Sequence, residues 1–186
     1  MTVTQSTDRT YDIIVWGASG FTGRIVVDYL HKEYGSGNLS WAVAGRNPAK
    51  LESVVGQRDI PILTADSHDS DSLNQLVQQT KVILTTVGPY ARYGSELVKV
   101  CAQNGTHYCD LTGESLWMRE MITAHKHTAR DSGARIVHTC GFDSIPSDIG
   151  VYFLQKEMRA RHGVAARHIK YRTKAFKGGF SGGTID

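Results

Sequence analysis

A turn with three glycines constrains the fold of this chain more than any other feature. Residues 14–24 read IVWGASGFTGR, with glycines at positions 17, 20 and 23. The turn follows the apolar run 11–16 and precedes residues 22–34, whose apolar side chains recur on one helix face. A strand, a glycine turn and a helix in this order predict a βα unit that binds an anion. The first N–H groups of a helix are unpaired and carry partial positive charge.

Each glycine has a separate predicted role in binding a dinucleotide. Gly17 makes the tight turn, Gly20 lets a pyrophosphate approach the backbone, and Gly23 lets the helix pack closely on the strand. The Thr22 hydroxyl can donate to a phosphate oxygen. The spacing is G-x-x-G-x-x-G rather than G-x-G-x-x-G, so the position between strand and helix carries the prediction. The alternative is a glycine-rich turn without a ligand.

The order of strand and then helix recurs along the chain. Strands are predicted at 11–16, 39–44, 60–64, 81–87, 107–111 and 135–139. Helices are predicted at 22–34, 48–55, 70–79, 95–104, 116–132 and 149–161. Six βα units predict an α/β fold, a doubly wound parallel sheet of the Rossmann type, because continuous apolar strands need helices on both faces. Pro61 places the third strand at an edge, as the strand order 3-2-1-4-5-6 requires.

The chain divides into three predicted regions. Residues 1–10 form a flexible N-terminus, residues 11–165 form an NAD(P)-binding domain, and residues 166–186 begin a second, α+β substrate domain. Residues 168–176 alternate in polarity like a strand with one solvated face. The glycine-rich stretch that follows is either a flexible tail or, as we favour, the entry to a domain cut off by truncation.

The ends of strands two to four predict the cofactor type. A preference for NAD calls for an acidic residue after strand two, but Arg46 stands there and can pair with a 2′-phosphate. We therefore expect NADP rather than NAD, the alternative being that Arg46 is a solvated surface residue. Asp66 can accept from the adenine amino group or cap the next helix. Gly88 and Pro89 are predicted to border the nicotinamide ribose.

Candidate groups for proton transfer follow strands four to six. Tyr90, Tyr93, Glu114 and Asp143 are weak candidates, and Asp143, with Ser144, is also a candidate helix N-cap. Cys140 is expected to be a small buried residue. His125 and His127 lie two residues apart on a helix and point in different directions, so no metal site is predicted.

Composition limits the function classes. Net charge is +3 without a basic run, which argues against nucleic-acid binding. No apolar stretch is long enough to predict a membrane span, and residues 1–9 do not resemble a secretory signal. Three cysteines with no metal-type spacing favour reduced thiols in the cytoplasm.

Four segments resemble the saccharopine dehydrogenase-like oxidoreductases, especially the trans-acting enoyl reductase branch. They are WGASGFTGR, AGRNPAKL, TTVGPYARYGSELVKVCAQNGTHYCDLTGE and CGFDSIPSDIG, and FSGGTID is similar to the family's entry into its second domain. The resemblance implies an NAD(P)-binding domain followed by a larger α+β domain. It also implies cofactor contacts at Gly17, Ser19, Gly20, Phe21, Thr22, Gly23, Arg46 and Gly88.

We therefore expect an NADP-dependent oxidoreductase that reduces a C=C, C=O or C=N bond of a lipid or amino-acid-derived substrate. The chain is expected to be an N-terminal fragment that is inactive alone and can form a homodimer through exposed apolar surface. The alternative is a non-catalytic NADP-binding sensor or scaffold on the same fold.

Overall fold

A computed structural model describes residues 9–35 and 37–175. The strands are β1 Tyr11–Trp16, β2 Trp41–Gly45, β3 Ile62–Thr64, β4 Thr80–Thr85, β5 His107–Cys109 and β6 Ile136–Val137. The helices are α1 Phe21–Tyr34, α2 Pro48–Val55, α3 Ser70–Gln78, α4 Tyr90–Tyr93, α5 Ser95–Asn104, α6 Ser115–Ser132 and α7 Ile145–His162.

The six strands form one parallel sheet in the order β3-β2-β1-β4-β5-β6. The predicted fold class and strand order are confirmed. β1 lies at the centre, where Ile14 pairs with Ala42 of β2 on one side and with Ile83 of β4 on the other. The change from β2 to β4 as the neighbour of β1 creates the switch point at which such sheets bind ligands.

The sheet divides the hydrophobic core into two layers. Successive side chains of β1 point to opposite faces, so Ile14 and Val15 are both fully buried but belong to different clusters. Ile14 packs in the cluster that includes Leu73 of α3 and Leu97 of α5. Val15 packs with Val27 of α1 in the other cluster. Burial on both faces explains why β2 and residues 13–16 of β1 are continuous apolar runs.

Most helix ends lie where capping residues in the sequence predicted them. Asn47 caps α2 by accepting a hydrogen bond from the Lys50 amide at 3.0 Å. Gly105 and Gly133 end α5 and α6 with φ of 67° and 81°, values in the left-handed region that glycine adopts without strain. The predicted strands extend beyond the observed ends of β4, β5 and β6. The short helix α4 was not predicted, and α7 begins at Ile145, before the predicted residue 149.

The two ends of the described chain differ from the sequence expectations. Residues 1–8 of the predicted flexible segment lie outside the described residues, but Arg9 is held by hydrogen bonds to Val77, Thr80, Asn104 and Thr106. The predicted strand at 168–176 is wrong over residues 168–175, which contain no strand. Phe176 and the segment FSGGTID lie outside the described residues.

Helix α7 contributes nothing to the core. None of its residues is buried. Ile149, Tyr152 and Phe153 lie on one side of the helix and are all more than half exposed. The face defined by Ile149, Tyr152 and Phe153 is called the α7 face below.

Candidate functional site

The candidate site is a groove at the carboxyl ends of the strands, across the switch point between β1 and β4. Its volume is about 270 Å³. Chain segments that follow β1, β2, β3 and β4 all contribute to it. The lining residues are Trp16, Gly17, Ser19, Gly45, Arg46, Asp66, Ser67, His68, Val87 and Tyr93.

Two of the three turn glycines are required by close packing. Gly17 has φ of +86°, and a Cβ there would lie 2.5 Å from Val87 Cγ2. A Cβ on Gly23 would lie 2.2 Å from the carbonyl oxygen of Gly17, so glycine at 23 lets α1 approach the end of β1. These environments agree with the roles predicted from the sequence.

Gly20 differs because little protein surrounds it. A Cβ there would meet only the Gly17 carbonyl oxygen, at 3.3 Å, and the residue is exposed. Gly20 is the N-cap of α1, and no side chain of the described residues caps the helix there. The unpaired amides at this end of α1 are therefore accessible to an anion.

The other turn residues lie around this helix end. Ser19 lines the groove, and its carbonyl oxygen accepts from Arg24 Nε at 3.2 Å. Phe21 is 72% exposed, and Thr22 is half-buried. The Thr22 hydroxyl forms no hydrogen bond with another described residue, and the cofactor contacts of Phe21 and Thr22 stay predictions.

The structure adds Trp16, which sequence reasoning missed as a site residue. Trp16 is only 2% exposed and lines the groove, and its indole Nε1 has no hydrogen-bond partner among residues 9–35 and 37–175. A buried N–H donor without a partner costs free energy, so an acceptor on a bound ligand would stabilise this arrangement. The sequence signal was a tryptophan at the end of β1, directly before the glycine turn.

Arg46 and Asp66 lie on the other side of the groove. Arg46 is exposed and forms no ion pair or hydrogen bond within the described part of the chain, which leaves its guanidinium free to bind an anion. Asp66 accepts a hydrogen bond from the His68 amide at 2.9 Å. The alternative that Asp66 caps α3 is wrong, because the Asp69 side chain accepts from the amides of residues 71 and 72.

Gly88 and Pro89 lie between β4 and α4. Tyr90 and Glu114 form hydrogen bonds with the protein in the same region. Gly88 and Pro89 are partly buried and connect Val87 of the groove to Tyr90. The Glu114 carboxylate accepts from the amides of Tyr90 at 2.6 Å and Ala91 at 2.8 Å.

Tyr90 is 4% exposed, and its hydroxyl donates to the Thr85 carbonyl. Burial raises the pKa of Tyr90 well above its usual value. The catalytic assignments of Tyr90 and Glu114 stay predictions.

Of the remaining chemical candidates, Tyr93 lines the groove and Asp143 does not. Asp143 is exposed, and Ser144, at the N-cap of α7, makes no side-chain capping bond. The predicted N-cap position is therefore confirmed for Ser144 and wrong for Asp143. The expectation that Cys140 is buried is also wrong, because its turn after β6 leaves it exposed.

A buried network at the end of β5 was also missed. Asp110 is 2% exposed, and its carboxylate accepts from the Tyr108 hydroxyl at 2.9 Å and from the amides of Thr112 and Thr139. His138 Nδ1 lies 2.6 Å from Asp110 Oδ2. The network joins the segments that follow β5 and β6. Tyr108, Asp110 and Thr112 are close in sequence, but His138 and Thr139 lie 28 and 29 residues from Asp110, so no local motif indicated the network.

A parallel sheet in this order, with a glycine turn between β1 and α1 and a groove at the switch point, defines a dinucleotide-binding domain of the Rossmann type. Comparison with known families specifies the cofactor. The chain belongs to the saccharopine dehydrogenase NADP-binding domain family, which residues 13–137 match. The predicted family and the preference for NADP are confirmed.

Known proteins support this assignment. A Mycobacterium tuberculosis protein is 43% identical over 185 residues, which cover 97% of this chain and 44% of that protein. Trans-acting enoyl reductase from Mycobacterium leprae is 40% identical over 155 residues, covering 81% of this chain and 37% of its own. The chain therefore spans less than half the length of the curated relatives it matches.

The fold also matches a solved structure. Apo saccharopine dehydrogenase (L-Glu forming) from Saccharomyces cerevisiae superposes with a TM-score of 0.63 at 19% identity, over 81% of this chain and 32% of that one. At this identity the likeness concerns the fold. Within the described residues, no helix is both long and apolar enough to cross a membrane.

Proposed function

We propose that this chain is the NADP-binding part of an oxidoreductase. When bound, the nicotinamide would supply or accept a hydride. The protein's own groups bind and orient the nucleotide at the switch point. The observation that carries the proposal is the end of α1, which opens into a groove that Arg46 also lines; within the described residues no side chain caps this end and the Arg46 guanidinium has no partner.

The two anionic parts of NADP fit two separate places in the groove. The amides after Gly20 suit the pyrophosphate, because they are unpaired and the helix dipole favours negative charge there. Arg46 follows β2 and suits the 2′-phosphate, which its planar guanidinium can bind through two parallel hydrogen bonds. The Nε1 of Trp16 offers a further donor within the same groove.

The test of this proposal is the cofactor preference of an Arg46→Ala variant. We expect NADPH affinity to fall about 10- to 100-fold, because a hydrogen-bonded charge pair contributes about 1.5–3 kcal/mol. NADH lacks the 2′-phosphate, so its affinity should not change. Arg119→Ala is a matched control, because Arg119 is an exposed arginine on α6 outside the groove. Equal losses for both nucleotides, or no loss, would contradict the assignment of Arg46.

The substrate class follows from the relatives. The Mycobacterium leprae relative is named a trans-acting enoyl reductase, so we propose a C=C bond of an acyl substrate ahead of C=O or C=N bonds. NADPH oxidation by the longer protein, measured with enoyl, imine and carbonyl substrates, distinguishes these classes. The chain alone is expected to bind NADPH without turnover.

The alternative function is an NADP-binding sensor or scaffold. It is favoured by the positions of Tyr90 and Glu114, since each has a structural contact and Tyr90 is buried. A longer protein that binds NADPH but oxidises it with none of the substrate classes would support the sensor.

The domain arrangement is a further part of the proposal. We propose that residues 166–186 lead into a second domain and that the α7 face packs against it, since three large apolar side chains are exposed there. In the chain alone the same face can form a homodimer. Phe153→Ser should then reduce binding of a hydrophobic dye and self-association of the chain alone. In the longer protein it should reduce stability.

We propose the cytoplasm as the location. The free thiols of Cys101, Cys109 and Cys140 favour a reducing compartment. Fractionation of cells that express the longer protein tests this proposal.

A further inference from the structure

A second cavity lies between α5, α6 and the edge strand β6. Its volume is about 290 Å³, near the lower limit of small-molecule sites. Val98, Ala129 and Ile136 give it apolar walls, and Val98 and Ala129 are buried. None of its lining residues belongs to the nucleotide groove.

The polar groups of this cavity are all basic or neutral. Lys126 and Arg130 lie one helical turn apart on α6, and neither forms an ion pair with another described residue. No carboxylate is among the lining residues that the described chain supplies. The cavity therefore combines an apolar interior with two cationic side chains that have no ion-pair partner among the described residues.

His138 supplies the second, independent sign of a ligand. Its side chain is 7% exposed and lines the cavity. Its Nδ1 is bound to Asp110, but its Nε2 is buried without a hydrogen-bond partner in the part of the chain that the structure describes. A buried polar atom of this kind is stabilised by a ligand atom that shares a proton with it.

We propose that this cavity binds a medium-chain monocarboxylate. The acyl chain would lie against Val98, Ala129 and Ile136, and the carboxylate would lie among Lys126, Arg130 and His138 Nε2. His138 Nε2 would share a proton with the ligand carboxylate, while Nδ1 keeps its contact with Asp110 Oδ2 and fixes the position of the ring. The proposal does not rest on the proposed reductase function, because no residue is shared between the two sites.

Calorimetric titration with octanoate, below its micelle concentration, tests the proposal. We expect a dissociation constant of about 1 mM or tighter for a ligand with about ten non-hydrogen atoms. Octanol, which lacks the charge, should bind at least about 10-fold more weakly. The ¹⁵N resonance of His138 Nε2 should shift on addition of octanoate, which a non-specific surface interaction would not produce.

Two pairs of variants locate the binding. Ala129→Leu fills the cavity and should abolish octanoate binding, whereas Ala124→Leu lies on the exposed side of the same helix and should not. Lys126→Gln with Arg130→Gln should weaken octanoate at least about 10-fold and leave octanol unchanged. Arg119→Gln is the control for charge on α6. The charge variants are exposed, so they keep the test valid if Ala129→Leu does not fold.

Three results would overturn the proposal. They are the absence of octanoate binding, tighter binding of octanol than of octanoate, and octanoate affinity that the Lys126 and Arg130 substitutions do not change. NADPH binding should be the same in all four variants, which separates this test from the test of the nucleotide groove.

Discussion

Replacing Gly20 with alanine separates the folding role of the glycine turn from its binding role. Gly20 has φ of −74° and ψ of 171°, an extended conformation that alanine also adopts. The added Cβ would meet one protein atom, the Gly17 carbonyl oxygen at 3.3 Å. We expect the free energy of unfolding to change by no more than about 1 kcal/mol, which is the usual cost of alanine at an N-cap.

The effect on cofactor binding should be larger. The methyl group would stand where the pyrophosphate must approach the first amides of α1. Loss of one hydrogen bond to a charged phosphate costs about 1.5–3 kcal/mol, so the NADPH dissociation constant should rise about 10- to 100-fold. NADH should lose a similar factor, because it carries the same pyrophosphate. This common loss distinguishes Gly20→Ala from Arg46→Ala.

The assay combines NADPH fluorescence titration with urea unfolding on the same samples. Gly150→Ala is a matched control, because Gly150 lies in α7 and a Cβ there has no protein atom within 4 Å. It should raise stability by up to about 1 kcal/mol and leave binding unchanged. A folded Gly20→Ala protein with unchanged NADPH affinity would refute the placement of the pyrophosphate at this helix end.

Four further measurements test other parts of the structure. Gly23→Ala should destabilise the fold by about 2 kcal/mol or more in urea unfolding, because the new Cβ would lie 2.2 Å from the Gly17 carbonyl oxygen and push α1 away from β1. Asp110→Asn should cost about 2–4 kcal/mol by the same assay, since the buried carboxylate accepts from both side chains and amides; an unchanged stability would contradict the importance of the network. In native protein at about pH 8 a disulfide reagent should modify only Cys140, because Cys101 is buried and burial raises the pKa of Cys109 to about 12. Rapid modification of Cys109 before unfolding would show that the end of β5 opens. Desolvation lowers the pKa of His107 and of His125, so the unfolded state takes up protons at higher pH than the folded state does. The free energy of unfolding should therefore fall as pH decreases below about 6.5, and the double variant His107→Gln/His125→Gln should show a smaller fall. If the double variant loses stability with pH as much as the parent protein does, other groups cause the pH dependence.

Elements with strong local signals were predictable from the sequence. Asn47 and Pro48 begin α2, and Gly105 and Gly133 end their helices, because capping depends on the backbone preferences of single residues. Where a strand ends depends instead on the neighbouring strand with which it pairs. β6 was predicted over residues 135–139 but pairs with β5 only at Ile136–Val137.

The candidate site was predicted where it lies in one continuous motif. The glycine turn is local, and Arg46 was found because parallel strands bring their carboxyl ends to one edge of the sheet. Trp16 was missed as a site residue, since an apolar residue at the end of a strand is read as core. The exposure of Cys140 was missed because a short sequence does not show what covers a turn.

The sequence by itself determined the six successive βα units, the glycine turn and, through Arg46, the expected cofactor, because these depend on local periodicity and on single residues at the ends of strands. Only the tertiary structure decided which polar atoms lack a partner. Within residues 9–35 and 37–175, Trp16 Nε1 and His138 Nε2 have no hydrogen-bond partner, because of what distant segments place around them. Asp110, equally buried, is paired by residues of β5 and of the segment after β6. Burial and pairing depend on contacts between residues far apart in the chain, and these contacts exist only after the sheet has formed.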